Sequence, residues 1–233
     1  VFMFCGSSTV RQFQRDFPGR FSYNVFSGAS IKGLPRLGST VGHGEVIRHL
    51  ARAPQRKKLF LMLGNADTDF GYYHGLAGGG TDDAAAFAAE RVGIYGQFLT
   101  ALLEEDDGAG LIETIGVLGL QPSPLLDAHF IDVVVGHTRA CRDSLRAAGD
   151  RVDLGHAARI ARVVDFNDRL AAGLPRHPKL RFFRIDHAML DDAGSLIGRF
   201  FPSHPHEHHA VKNETFREWR QVLAPEIACY RKR

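Results

Sequence analysis

Val1-Phe2-Met3-Phe4-Cys5-Gly6-Ser7-Ser8-Thr9-Val10 is an apolar run that breaks at a glycine and two serines, then continues into Arg11-Gln12-Phe13-Gln14. Apolar residues bounded by turn formers read as a buried strand over 1–5. Gly6 permits a sharp turn, and the serines after it suit the cap of a helix opening near Arg11. They also suit chemistry. At the carboxyl end of a strand their hydroxyls lie beside helix-terminal N–H groups that favour developing negative charge. Open α/β sheets bind their ligands at such a place.

Outward from this stretch, apolar or alternating runs predict further strands over 21–26, 58–63, 111–120 and 180–185. Between them, 3.6-residue periodicity predicts helices over 45–53, 84–105, 154–172 and 214–223. Strands that alternate with helices pair in parallel and carry helices on both faces. The expected fold class is therefore α/β, a three-layer αβα arrangement around a mostly parallel five-stranded sheet. No internal repeat and no long linker divides the chain, so residues 1–233 read as one domain. Residues 127–153, which include Val133-Val134-Val135, fit no element clearly and read as an insertion beside the site.

Composition removes several function classes. The 233 residues are 44% hydrophobic, enough for a full core, yet no run of eighteen apolar residues predicts a membrane span. No basic region precedes the first apolar run, which argues against a signal peptide. The net charge of +3 is spread along the chain, apart from Arg56-Lys57-Lys58 and Arg231-Lys232-Arg233. A nucleic-acid footprint needs a concentrated stripe, so no nucleic-acid partner is expected. Cys5, Cys141 and Cys229 have no metal-ligand spacing and favour a reducing, cytoplasmic setting. Gly78-Gly79-Gly80 lacks the lysine and hydroxyl residue of a phosphate loop and reads as a hinge or lid, and no cofactor is expected.

Small and polar residues gather at three strand ends: Gly6-Ser7-Ser8, Ser27-Gly28-Ala29 and Gly64-Asn65-Ala66-Asp67. A fourth cluster, His204-Pro205-His206-Glu207-His208-His209, precedes the last helix. In a parallel sheet the turns after neighbouring strands share one rim. Acyl chemistry needs a hydroxyl to attack, an imidazole to take its proton, and N–H groups to hold the oxyanion.

In this order the four clusters resemble the motif blocks of the SGNH (GDSL-like) hydrolases. Gly6-Ser7-Ser8 stands in the place of G-D-S, Gly28 in the second block, Gly64-Asn65-Ala66-Asp67 in the place of G-x-N-D, and His208-His209 in the last block. The resemblance implies the flavodoxin-like fold of that superfamily and a serine esterase or acyltransferase acting on a small-molecule or glycan ester, with an O-acyl group on a bacterial glycan as one substrate class. It makes Ser8 the nucleophile, with Ser7 a minor rival. His208 or His209 becomes the base, and His208 is preferred because the first histidine acts in D-x-x-H-H forms. Gly28 and Asn65 would serve the oxyanion, and Asp67 would either line the site or brace its loop. The sequence departs from the family pattern in three places. Ser7 replaces the aspartate, Asn65 lies one place early, and Pro205 and His206 stand where an aspartate should precede the histidines. An acid must then come from elsewhere, with Glu207 and Asp186 as candidates, or the histidine works as a dyad.

Two other readings follow from the same residues. The missing aspartate fits a catalytically impaired glycan-binding module. The alternating His204, His206 and His208 would share one side of an extended loop, which fits a metal-dependent hydrolase. The remaining histidines, among them His74, His129 and His137, stand alone in the sequence and read as surface or core residues.

Overall fold

The computed structural model describes residues 1–14 and 21–228. Cys229 and the Arg231-Lys232-Arg233 cluster lie outside the described residues. Five strands form one sheet: β1 (Phe2–Gly6), β2 (Phe21–Val25), β3 (Lys57–Met62), β4 (Ile112–Leu118) and β5 (Leu180–Phe183). Their spatial order is β2-β1-β3-β4-β5, and every pair is parallel. The expected three-layer αβα architecture, with the flavodoxin-like strand order, is what forms.

β1 and β3 are buried along their whole length, which is why they read as continuous apolar runs. The strand period of two then sorts their side chains. Met3, Cys5, Leu59 and Leu61 face a core shared with α1 (His43–Arg52), α3 (Ala84–Asp106) and α6 (His156–Gly173), through Ile47, Leu99 and Phe166 among others. Phe2, Phe4, Phe60 and Met62 face the other way, towards α8 (Lys212–Ala228) and its buried Trp219. Aromatic rings dominate that second layer. Phe4 stacks on Phe13 at 4.5 Å and on Phe60 at 4.9 Å between centroids.

A third apolar cluster sits apart from the sheet. The segment 127–153 forms α4 (Asp127–Thr138) and α5 (Arg142–Ala148), which pack Phe130, Val133, Val134 and Leu145 against Tyr72, Tyr73 and Leu76 of α2 (Tyr72–Ala77). A π-helical turn, Asp67–Gly71, leads into α2. The glycine run expected as a hinge or lid closes α2, with the Gly80 N–H donating to the Gly75 carbonyl at 2.8 Å. The short α7 (Asp186–Met189) follows β5. No helix among the described residues is long and apolar enough to cross a membrane.

Register decides where the site falls. Gly6 pairs with Val25 on one side and Met62 on the other, so the three following turns leave the sheet from one line. Gly6 has to be glycine, because a Cβ there would stand 2.1 Å from the Met62 carbonyl oxygen. The Ser7 N–H donates to that same oxygen at 3.1 Å, and the Phe26 N–H donates to the Gly6 oxygen at 2.8 Å. Next to this line, fully buried Asn167 of α6 clamps the end of β4. Its amide accepts from the Leu120 N–H at 2.7 Å and donates to the Leu120 oxygen at 2.9 Å.

Candidate active site

The chain after β1 turns at once into a 3₁₀ helix, Ser8–Phe13, so the helix expected at Arg11 begins three residues earlier. Phe13 anchors this turn on Phe4 and Trp219. The two serines are thereby separated. Ser7 is buried and its hydroxyl bonds the Thr9 hydroxyl at 2.8 Å. Ser8 is half-buried, and its Oγ lies 2.7 Å from Nε2 of His209, 201 residues away.

The ring that reaches Ser8 is His209, not the preferred His208. His209 Nδ1 lies 2.7 Å from the Glu207 carboxylate, and the His209 backbone N–H donates to the same oxygen at 2.9 Å. An ionised carboxylate only accepts, so Nδ1 carries the proton and Nε2 presents its lone pair to the Ser8 hydroxyl. Glu207 thus contacts the ring that reaches Ser8, although no acid stands at 205 or 206. Asp186, the other candidate, is buried in a pair with Arg184.

His208 turns elsewhere. Its carbonyl accepts from the Ser123 hydroxyl at 3.1 Å, and its ring packs between Phe70 and His137 at 5.0 and 4.8 Å. Burial, then the neighbouring His209 and His137, push its pKa down to about 3. Burial also lowers His209; Glu207 opposes this, and Lys212 and Arg11 add to it. Burial would raise the Glu207 carboxyl, but bonds from the backbone and ring of His209 outweigh it and hold the group below its ordinary value. At neutral pH the trio is therefore a hydroxyl, a neutral imidazole and a carboxylate.

Ser8, Gly28, Asn65, His208 and His209 line one cavity of about 540 Å³, with Asp69, Phe70, His74 and His137 completing its wall. Gly28 holds φ +75° in the turn after β2, the left-handed region that glycine enters freely. Asn65 does not aim freely into this space. Its amide donates to the Gln121 carbonyl at 2.9 Å. Asp67 lies behind the wall. It accepts from the Ile31 N–H at 2.7 Å and pairs with Arg91 at 3.1 Å, so of its two expected roles the structure gives it the bracing one. Asp69, which the sequence analysis did not single out, is raised to about 7 by burial, with Arg159 and Asn65 opposing.

The alternating histidines make no common ligand set. His204 and His206 are exposed, and among the described residues the donors that converge are those of Glu207, His208 and His209, within 4.8 Å of one another. In that trio both His209 nitrogens are already engaged, one by Ser8 and one by Glu207. A cation bound at the Nδ1 side would displace the proton that His209 shares with Glu207. Sequence reasoning also passed over His137 and His74 as isolated residues, and neither carries a local signal, because only the packing of α4 and α2 brings them to the cavity.

No protein-family profile and no curated protein matches the chain. Its fold is similar to that of a Streptococcus pneumonia protein provisionally described as a platelet activating factor, with a TM-score of 0.56 and 12% identity over 97% of this chain and 83% of that one. Looser overlays reach a provisional acylhydrolase from Bacteroides fragilis (TM-score 0.47, 11% identity, 98% and 86% covered) and an extracellular lipase from Streptomyces rimosus (TM-score 0.45, 14% identity, 96% and 98% covered). At these identities the likeness is one of fold.

Proposed function

We propose that this protein is a serine-dependent esterase or acyltransferase of SGNH type. The observation that carries the reading is the chain of two 2.7 Å contacts from Ser8 through His209 to Glu207. Ser8 Oγ attacks the ester carbonyl while Nε2 of His209 takes its proton. Glu207 fixes the ring's tautomer and stabilises the imidazolium that forms. The imidazolium then protonates the leaving alkoxide, and water or an acceptor hydroxyl releases the acyl group by the same steps in reverse.

The developing oxyanion is assigned to the backbone N–H groups of Ser8 and Gly28, which border the cavity. Asn65, whose amide is held by the Gln121 carbonyl, joins them only if its second amide hydrogen turns to the substrate. The cavity has room for a small acyl group and part of its alcohol. An O-acyl carbohydrate is the class to screen first, on the strength of the motif resemblance alone.

Labelling with a fluorophosphonate probe tests the reading. Folded protein is expected to take one adduct at Ser8. Ser8→Ala is expected to lose the adduct and to lower aryl-ester kcat by about 10⁴-fold or more. A wild-type protein that neither labels nor turns over any aryl ester would sink the catalytic reading and return the glycan-binding module to the front.

A further inference from the structure

A second, smaller cavity of about 320 Å³ opens from the Ser8–His209 pair, lined by Arg11, His204, His206, Glu207 and Lys212. Its charge is lopsided. Glu207 is the one carboxylate in its lining, and that group is spent on His209. Arg11 and Lys212 flank the pair from opposite ends of the sequence, one on the Ser8 turn and one at the start of α8. Both stand close enough to depress the protonation of His209. Arg11 rests its guanidinium on the Ser27 hydroxyl at 3.2 Å. Among the described residues, neither cation has a carboxylate partner within 4.0 Å. Elsewhere most arginines do, including Arg48, Arg184 and Arg199.

Cations left unpaired beside a reacting centre favour a substrate that supplies the missing negative charge. Building on the serine-enzyme reading, we infer that the ester accepted here carries an anionic group, seated between Arg11 and Lys212 in this side cavity. A phosphate-bearing ester and an acidic saccharide share that chemistry. Arg11 and Lys212 are then specificity-determining residues, and the exposed His204 and His206 contribute hydrogen-bond donors at the outer edge.

Two matched pairs of esters test this, one with the anion on the acyl side and one with it on the alcohol side. The first pair is 4-nitrophenyl hexanoate against mono-4-nitrophenyl adipate. The second is 2-naphthyl acetate against its 6-sulfonate. At low salt at least one anionic member is expected to show a kcat/KM higher than its neutral match by about tenfold, the scale of two exposed charge contacts. Arg11→Gln and Lys212→Gln are each expected to cut that preference about threefold, through KM, and 1 M salt should largely erase it as the screening length shrinks to about 3 Å. Both side chains are exposed, so the fold tolerates either change. Turnover of neutral esters with no anionic preference in either pair overturns the inference and leaves the catalytic reading standing. Absence of all turnover overturns both.

Discussion

The two halves of the Ser8–His209 pair are held in place by different means. The Ser8 half is built by the sheet, since the register of β1 between β2 and β3 fixes Gly6, and backbone bonds to Met62 and Phe26 fix the turn. The histidine half hangs on side chains. Glu207 binds both the ring and the backbone of His209, and Ser123 holds the His208 carbonyl. A sheet rim can be located from strand patterns. A loop closed by its own side chains depends on which residue turns inward, and adjacent His208 and His209 end in unlike surroundings for that reason.

The comparison is broken most severely on the histidine side. On the proposed mechanism Ser8 and His209 act as one unit, so His209→Ala is expected to cost kcat roughly as much as loss of the serine. Glu207→Gln keeps the shape but lets the ring rotate and take the wrong tautomer, at a cost of roughly 10²–10⁴-fold in kcat. His208→Ala is expected to cost less than the roughly 10²-fold at the low end of a general base's contribution. Steady-state kinetics on one aryl ester ranks all three. A His208 variant worse than the His209 variant would reverse the assignment.

On the sheet side the sharpest probe is Gly6→Ala. The added methyl would meet the Met62 carbonyl oxygen at 2.1 Å and Val10 at 2.7 Å, so the turn must move. Overpacking of this kind costs about 1–3 kcal/mol, read as a lower urea midpoint, and the displaced Ser8 should lower kcat beyond what the stability loss explains. Unchanged kcat in the folded variant would show that the sheet does not set the nucleophile's position.

The same contrast explains what could be read from the residues alone. β1 and β3 were legible because fully buried strands leave uninterrupted apolar runs, and Gly6-Ser7-Ser8 marked where the first one ends. Residues 127–153 were not, although Phe130, Val133 and Val134 have helical spacing. The Val133-Val134-Val135 run mimics a strand, and the partner surface on α2 lies more than fifty residues earlier. The proposed acid was hidden by its spacing. Glu207 precedes His209 by two residues, a separation that works only because a tight turn lets one carboxylate oxygen take both the backbone and ring N–H. Asn65 and Asp67 were legible as members of the loop, but their partners Gln121 and Arg91 come from packing that no local pattern encodes.

The smallest expected effect concerns the histidine that does not touch the serine. Burial and its neighbours lower His208 to about 3 in the folded protein, whereas an unfolded chain offers a histidine near its ordinary value of 6.5. Between those values the unfolded state binds the proton and the native state does not, so this contribution to stability is intact above pH 6.5 and lost progressively as pH falls towards 3. At pH 5 the loss is about 2 kcal/mol at most, following the slope of about 1.4 kcal/mol per pH unit. His209 shifts in the same direction, so total acid sensitivity does not isolate His208. Comparing His208→Gln with the parent does, because only the difference in pH slope belongs to this ring, and working between pH 7 and 5 stays above the range where Glu207 titrates. The variant is expected to lose less stability than wild type on going from pH 7 to pH 5, whatever its absolute urea midpoint. Equal losses would mean that His208 takes up its proton in the folded state, and that the loop carrying His208 and His209 is held less tightly than its packing on Phe70 and His137 implies.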